Sequence, residues 1–207
     1  SYAHLNFLRN VTFTLGVSFD SLTGDFPGED QHQPNPKFGL TWNPFPNTTV
    51  RAAAFRVLKR TLVTNQTLDP TQVSGFNQFF DDTNLTSSWR YAGAIDQKFT
   101  KDLFGGVEFS KRDLTVPFID TGVIVPTAQE ANWTEQLART YLFWTPSPSL
   151  ALRAEYQYER ARRDEHFAQG ATRLDTHRVP LGLNFFHRSG LSTFLTATYF
   201  HQRGKFD

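Results

Sequence analysis

The chain has 207 residues, enough for one large domain or a part of a bigger one. Its 21 Lys and Arg balance 20 Asp and Glu, which argues against a nucleic-acid partner, and the absence of cysteine excludes disulfides, thiol catalysis and Cys-ligated metal. Aromatic residues make up 15 %, 21 of them Phe, yet the mean hydropathy is negative, so the apolar residues must be sparse and regularly placed. No run approaches the ~18 apolar residues of a spanning helix, an exclusion that does not reach barrel strands.

Residues 10–20 read NVTFTLGVSFD, with Val11, Phe13, Leu15, Val17 and Phe19 alternating with small or polar residues. This is a period of two, one strand with an apolar and a polar side. A short strand at about 2–8 precedes it through the tight link LRN; if that is no turn, residues 4–21 form one strand and the count below falls from ten to nine. A long polar loop, TGDFPGEDQHQPNP, leads to the strand KFGLTW, the tight NPFPNT and the strand TVRAAAFRVLKRTLV. The long NQTLDPTQVSGFNQFFDDTNLTS leads to SWRYAGAIDQKF, the tight TKD and LFGGVEFSKRDL. A third long loop, about 115–132, precedes WTEQLARTYLFW, the tight TPSPS and LALRAEYQYERARR. A fourth, about 164–175, leads to THRVPLGLNFF, the tight HRSG and LSTFLTATYF. Pro180 lies inside a strand pattern and points to a bulge or a late start there.

Ten strands with tight turns at one end and long loops at the other predict an all-β, antiparallel up-and-down meander. The alternation is that of a transmembrane outer-membrane β-barrel with short periplasmic turns and long extracellular loops. A β-sandwich has no need to sort its loops by length in this way. In LALRAEYQYE, Leu150, Leu152, Ala154, Tyr156 and Tyr158 share one face; in KFGLTW, Phe38, Leu40 and Trp42 do. These are the expected lipid-facing rows. Trp42 and Trp144 lie just before tight turns, and Trp89 and Trp133 just after long loops, the levels of two aromatic girdles. Trp133 alone carries the parity of Glu135 and Arg139, the expected inner face. Methionine is absent and no signal peptide precedes SYAHLNF, so residues 1–207 are expected to be a single barrel segment, truncated at both ends.

The stretch NPKFGLTWNPFPNTTVRAAAFRVLKR resembles the PK-x-G-L strand and following hairpin in barrels of TonB-dependent receptors. Its continuation through LDPTQVSGFNQFFDD resembles receptor-like barrels at the C-terminal end of large proteins, some with tetratricopeptide repeats. The resemblance covers most of the chain and is specific over residues 35–82. It implies a Gram-negative outer membrane and a barrel larger than the strands present. The chain departs from the pattern in having no plug domain, TonB box or helical repeat. HQRGKFD runs into another loop instead of ending in an aromatic-terminated strand.

The six histidines make no metal-binding spacing and no nucleophile-elbow pattern is present, so no enzyme activity, metal or cofactor is expected. The inward parity carries both signs: Arg56, Arg60, Asp96, Lys98, Glu108, Arg112, Glu135, Arg139, Arg153, Glu155, Glu159 and Arg163. This reads as an ion-pair lattice stiffening a solvated wall, or else a substrate path or docking surface for a plug. Phe76, Asn77, Phe79, Phe80, Asp81 and Asp82 form the candidate ligand loop, its aromatic rings either packed on neighbouring loops or presented outward. On the lipid-facing parity, Ala53, Phe55 and Val57 give way to Lys59, Phe109 to Lys111, and Tyr158 to Arg160 and Arg162. These four cations are the candidate belt for lipopolysaccharide phosphates. The expected function is a transport or receptor barrel segment in the bacterial outer membrane. Its partners would be membrane lipid, lipopolysaccharide and a plug or periplasmic domain of the same full-length chain. The alternatives are a structural or export barrel anchoring a periplasmic repeat domain, and a soluble carbohydrate-binding β-sandwich.

Overall fold

The computed structural model describes residues 1–22, 31–59, 71–78, 82–120, 127–163 and 170–206, the side chains of 7 and 8 excepted. Strands β1 (Tyr2–Leu8), β2 (Val11–Leu22), β3 (Gln31–Phe45) and β4 (Thr48–Leu58) are followed by the short β5 (Thr71–Val73) and β6 (Phe76–Gln78). Then come β7 (Ser87–Lys98), β8 (Leu103–Asp120), β9 (Thr127–Ser147), β10 (Leu150–Arg163), β11 (Ala171–Phe186) and β12 (Ser192–Phe206). The ten long strands form one antiparallel sheet in chain order, β5 and β6 a separate hairpin. Arg9 and Asn10 do turn the chain, so the first two strands are distinct.

Proline explains where strands outrun their sequence patterns. β3 begins at Gln31, upstream of the expected residue 37, and contains Pro34 and Pro36. Residues 31–36 pair with β2 alone, since pairing to β4 starts at Lys37, so a missing N–H on the other side costs no ladder bond. Pro117 likewise follows Thr115, the last β8 residue paired with β7. β8 and β9 therefore run on as a ribbon, and residues 115–120 and 127–132 of the expected loop are strand. Pro180 neither ends nor delays β11: it pairs with Thr198 of β12, while on the β10 side the register has no partner for Val179 or Pro180. HQRGKF is strand through Phe206, where a loop was expected.

The two faces differ in polarity. Phe13, Leu15, Phe38, Leu40, Ala54, Tyr91, Val107, Phe109, Leu142, Leu152 and Tyr156 all lie on one of them, as the registers dictate. The β5–β6 hairpin packs on the other, where Val73 and Phe76 meet Ala53, Phe55, Val57 and Ala94 in a small buried cluster. Ala53, Phe55 and Val57 are therefore not on the apolar face, contrary to the expected parity of β4. Three consecutive alanines give that strand no alternation of its own, and the hairpin decides which side is covered.

Among the described residues no further strand packs on the apolar face. The chain exposes 13,697 Å², against about 9,800 Å² for a water-soluble globular protein of its mass. The rows are also staggered: Val11, the first residue of β2, aligns through Trp42, Val50, Ile95 and Val107 with Tyr156, six residues into β10. Such a progressive shift is what tilted strands in a barrel wall require.

The register is testable because the chain lacks cysteine. Val107→Cys with Thr140→Cys, directly paired across β8 and β9, is expected to form a disulfide on mild oxidation. Val107→Cys with Tyr141→Cys, on opposite faces, is not. Mobility on non-reducing gels distinguishes the two.

Candidate functional site

The hairpin and the charged wall beneath it form the site. Val73 and Phe76 flank a two-residue turn, Ser74 and Gly75, both with positive φ (48° and 83°), as a type I′ turn demands. A Cβ on Gly75 would lie 2.5 Å from the Arg51 guanidinium, which would have to shift, and the φ of 83° itself favours glycine. The tip rests on Gly39 of β3, where a Cβ would meet Ser74 Oγ at 2.2 Å and Val73 Cγ1 at 2.8 Å. The glycine of the PK-x-G-L strand is thus the floor on which the hairpin sits.

Arginines of the wall hold the hairpin by its backbone. Arg51 donates to the Ser74 carbonyl (3.4 Å) and to Asp96 (2.6 Å), and its guanidinium lies 4.9 Å from the Phe76 ring centroid. Arg90 donates to the Asn77 carbonyl and, at 3.3 Å, to Ser110 Oγ. Arg112 bridges Asp82 and Glu135, the latter at 2.7 Å. Further along, Glu155 accepts from Arg139 (3.1 Å) and Gln157 (3.1 Å) and pairs with Arg153 (3.6 Å). Tyr141 donates to Asp96 and carries Arg139 over its ring at 4.9 Å.

Between hairpin and wall lies a cleft of about 510 Å³, bordered by Phe76, Asn77, Arg90, Glu108, Arg112 and Arg139. Of these, Arg90 and Arg112 each keep a buried Nε–H without a hydrogen-bond acceptor among the described residues. The cleft therefore offers spare donors beside carboxylates, a surface for a polar solute of either sign.

Of the charges expected on the inward parity, Asp96, Lys98, Glu108, Arg112, Glu135, Arg139, Arg153, Glu155, Glu159 and Arg163 share the hairpin-covered face. Arg56 does not. It pairs with Trp89, on the apolar face, and donates to Ser87 Oγ at 3.2 Å; Arg60 lies outside the described residues. Phe76 is 1 % exposed, an anchor and not an outward platform, and Asp82 is ion-paired to Arg112. Phe79, Phe80 and Asp81 lie outside the described residues. Trp42, Trp144 and Trp89 are on the apolar face, Trp89 stacked on Tyr91 at 5.9 Å. Trp133 is on the other face, its ring 4.3 Å from the Arg163 guanidinium, and so belongs to no outward girdle. Lys59 is buried at 7 % exposure and leaves the belt, whereas Lys111, Arg160 and Arg162 keep the apolar-face parity. The sequence reading missed Arg51, Arg90 and Gly39. The dipeptide Ser74–Gly75 between Val73 and Phe76 was the local signal for the hairpin that engages them.

No family model matches the chain, and neither curated proteins nor solved structures give a match.

Gly39→Ala is expected to dislodge the hairpin, at a cost of about 1–3 kcal/mol, and to expose residues 71–78 to protease. Phe55→Ala, at a fully buried position, is expected to cost about 3–5 kcal/mol. Phe38→Ala, half-exposed on the other face, should cost less in the same denaturant titration in detergent.

Proposed function

We propose that the chain is a wall segment of a bacterial outer-membrane β-barrel that serves transport or reception of a polar solute. Lipid lies against the apolar face, and water fills the hairpin-covered side. The observation that carries this reading is the inverted polarity of the sheet. Phe13, Leu15, Phe38 and Phe109 on one face are exposed, while Arg51, Asp96, Arg139 and Glu155 on the other, hairpin-bearing face are hydrogen-bonded. An uncovered apolar surface of this extent is costly in water and favourable in hydrocarbon.

The dimensions support the same assignment. From Val11 to Phe19 the apolar row runs eight residues, about 26 Å along the strand, against an outer-membrane apolar band of about 25 Å. The outer edges of β1 and β12 are unpaired among the described residues, and open edges are not tolerated in lipid. Closure then needs strands from the rest of a full-length chain or from partner chains. The resemblance over residues 35–82 to TonB-dependent receptors favours a receptor barrel whose plug or periplasmic domain lies elsewhere in that chain. Within the lumen, the fixed hairpin and the mixed-sign wall form a constriction that selects for polarity more than for charge.

Two experiments test the reading. Single-tryptophan variants in vesicles of brominated lipid should show quenching of Trp42, Trp89 and Trp144 but not of Trp133. Quenching of Trp133 alone, or of none, overturns the membrane assignment. In the full-length protein, replacing residues 71–78 by a Gly/Ser linker should raise the flux of small polar solutes into liposomes. Unchanged flux from a correctly inserted variant favours a structural barrel.

A further inference from the structure

On β10, β11 and β12 the apolar face changes character over two adjacent rows. The last aromatic row holds Tyr158, His177 and His201; the next holds Arg160, Asp175 and Arg203, and the one after it Arg162, Arg173 and Lys205. The change comes ten residues beyond Leu150 in β10 and eleven beyond Ser192 in β12, so it marks one level of the wall.

The upper row is the unusual one. Arg162, Arg173 and Lys205 are direct cross-strand neighbours of like charge, an arrangement that repels unless an anion lies over it. Asp175 is the carboxylate in reach, and it is already engaged by Tyr158 (2.7 Å), Arg160 (2.7 Å) and Arg173 (2.6 Å). Its oxygens are therefore committed to those three donors. Arg162, Arg203 and Lys205 have no carboxylate partner among the described residues.

Arg203 and Lys205 line a cleft of about 820 Å³ together with Tyr156, Tyr158, His177 and His201, and Arg162 lies beside it as the cross-strand neighbour of its lining residue Arg173. Tyr156 and His177 are hydrogen-bonded at 2.8 Å, and the Tyr158 and His177 rings lie 4.9 Å apart. Nearer the tight turns, on the same face of β9–β12, a second groove of about 650 Å³ is lined by Leu142, Trp144, Leu152, Leu181, Leu183 and Leu195. Cations above, flat rings between and an apolar groove below complement, in order, phosphate, sugar and acyl chain.

We propose that this face of β10–β12 is a docking site for a phosphorylated, acylated glycolipid, the chemistry of lipopolysaccharide. Arg162, Arg203 and Lys205 bind phosphate oxygens through charge-assisted bonds. The tyrosine and histidine rings take the sugar, and the groove below takes the tails. The site rests on the membrane reading above and replaces the belt expected from sequence: Lys59 is buried, and Lys111 is tied to Asp113 at 2.9 Å.

The test uses the full-length protein in detergent with lipopolysaccharide, its dephosphorylated form and inorganic phosphate as probes. Arg162→Gln/Arg203→Gln/Lys205→Gln is expected to weaken lipopolysaccharide binding about a hundredfold, roughly fivefold per cation. Dephosphorylation should weaken binding to the native protein similarly and abolish the difference between the two proteins. A variant with Arg162→Lys and Arg203→Lys should retain binding, as should Arg178→Gln on the opposite face, which also controls for folding. Unchanged binding by the triple Gln variant, or equal affinity for dephosphorylated lipid, overturns the site. Full displacement by inorganic phosphate would reduce it to a simple anion site and overturn the lipid assignment. Brominated-lipid quenching of the same proteins reconstituted in vesicles separates the failures: quenching without phosphate-dependent binding sinks this site alone, and loss of quenching sinks the membrane reading beneath it.

Discussion

Among the described residues the apolar face of the ten-stranded sheet has no second layer of strands against it, and the rest of the structure is arranged around that surface. A sheet is stable in water when its apolar side faces inward; here the covered side is the charged one. Aromatic residues accumulate toward the tight turns on the open side, with Trp42, Trp144 and Phe185 all there. Charges appear on that side only near the opposite end. Both trends suit a slab of hydrocarbon bounded by polar layers better than they suit a partner protein, which would need a complementary apolar face of the same extent.

The covered side poses the reverse problem, since a polar wall offers a loop little to bury against. The hairpin solves it with a few residues. Phe76 and Val73 find an apolar island made by Ala53, Phe55 and Val57, and Arg51 ties the turn to Asp96 across two strands. Because the turn conformation, the glycine floor and the arginine contacts coincide, the hairpin is held in one place. An element fixed in this way can define a passage, as a freely moving loop cannot.

The same sheet presents different chemistry along its outer surface. Over β2 to β4 the open face runs from Phe19 to Trp42 with little charge, whereas over β10 to β12 it grades into aromatic and then basic rows. That asymmetry separates a face suited to bulk lipid from one suited to a particular head group. It comes from single residues at alternate positions, Arg160 and Arg162 on one strand and Arg173 on the next, so only the register shows that they meet.

Much of the fold was legible because a strand with one wet side writes a period of two. Phe13 to Phe19, Phe38 to Trp42 and Leu150 to Tyr158 named their faces without help, and the tight turns marked the hairpins. Sequence also located the links, since proline and glycine sit mainly in them. Tertiary structure decided what alternation leaves undetermined. β4 reads RAAAF, and alanine is indifferent to either side, so Phe55 and Arg56 took their faces from the hairpin that settles on one of them and from pairing with β7. Strand ends were decided in the same way: Pro34, Pro36 and Pro117 look like breakers, but each lies where its strand has a neighbour on one side only. Trp133, Lys59 and the hairpin's grip on Arg51, Arg90 and Gly39 depend on contacts between residues far apart in the chain. Local periodicity records which way a side chain points within its own strand; what waits for it there is set by the neighbours that folding brings.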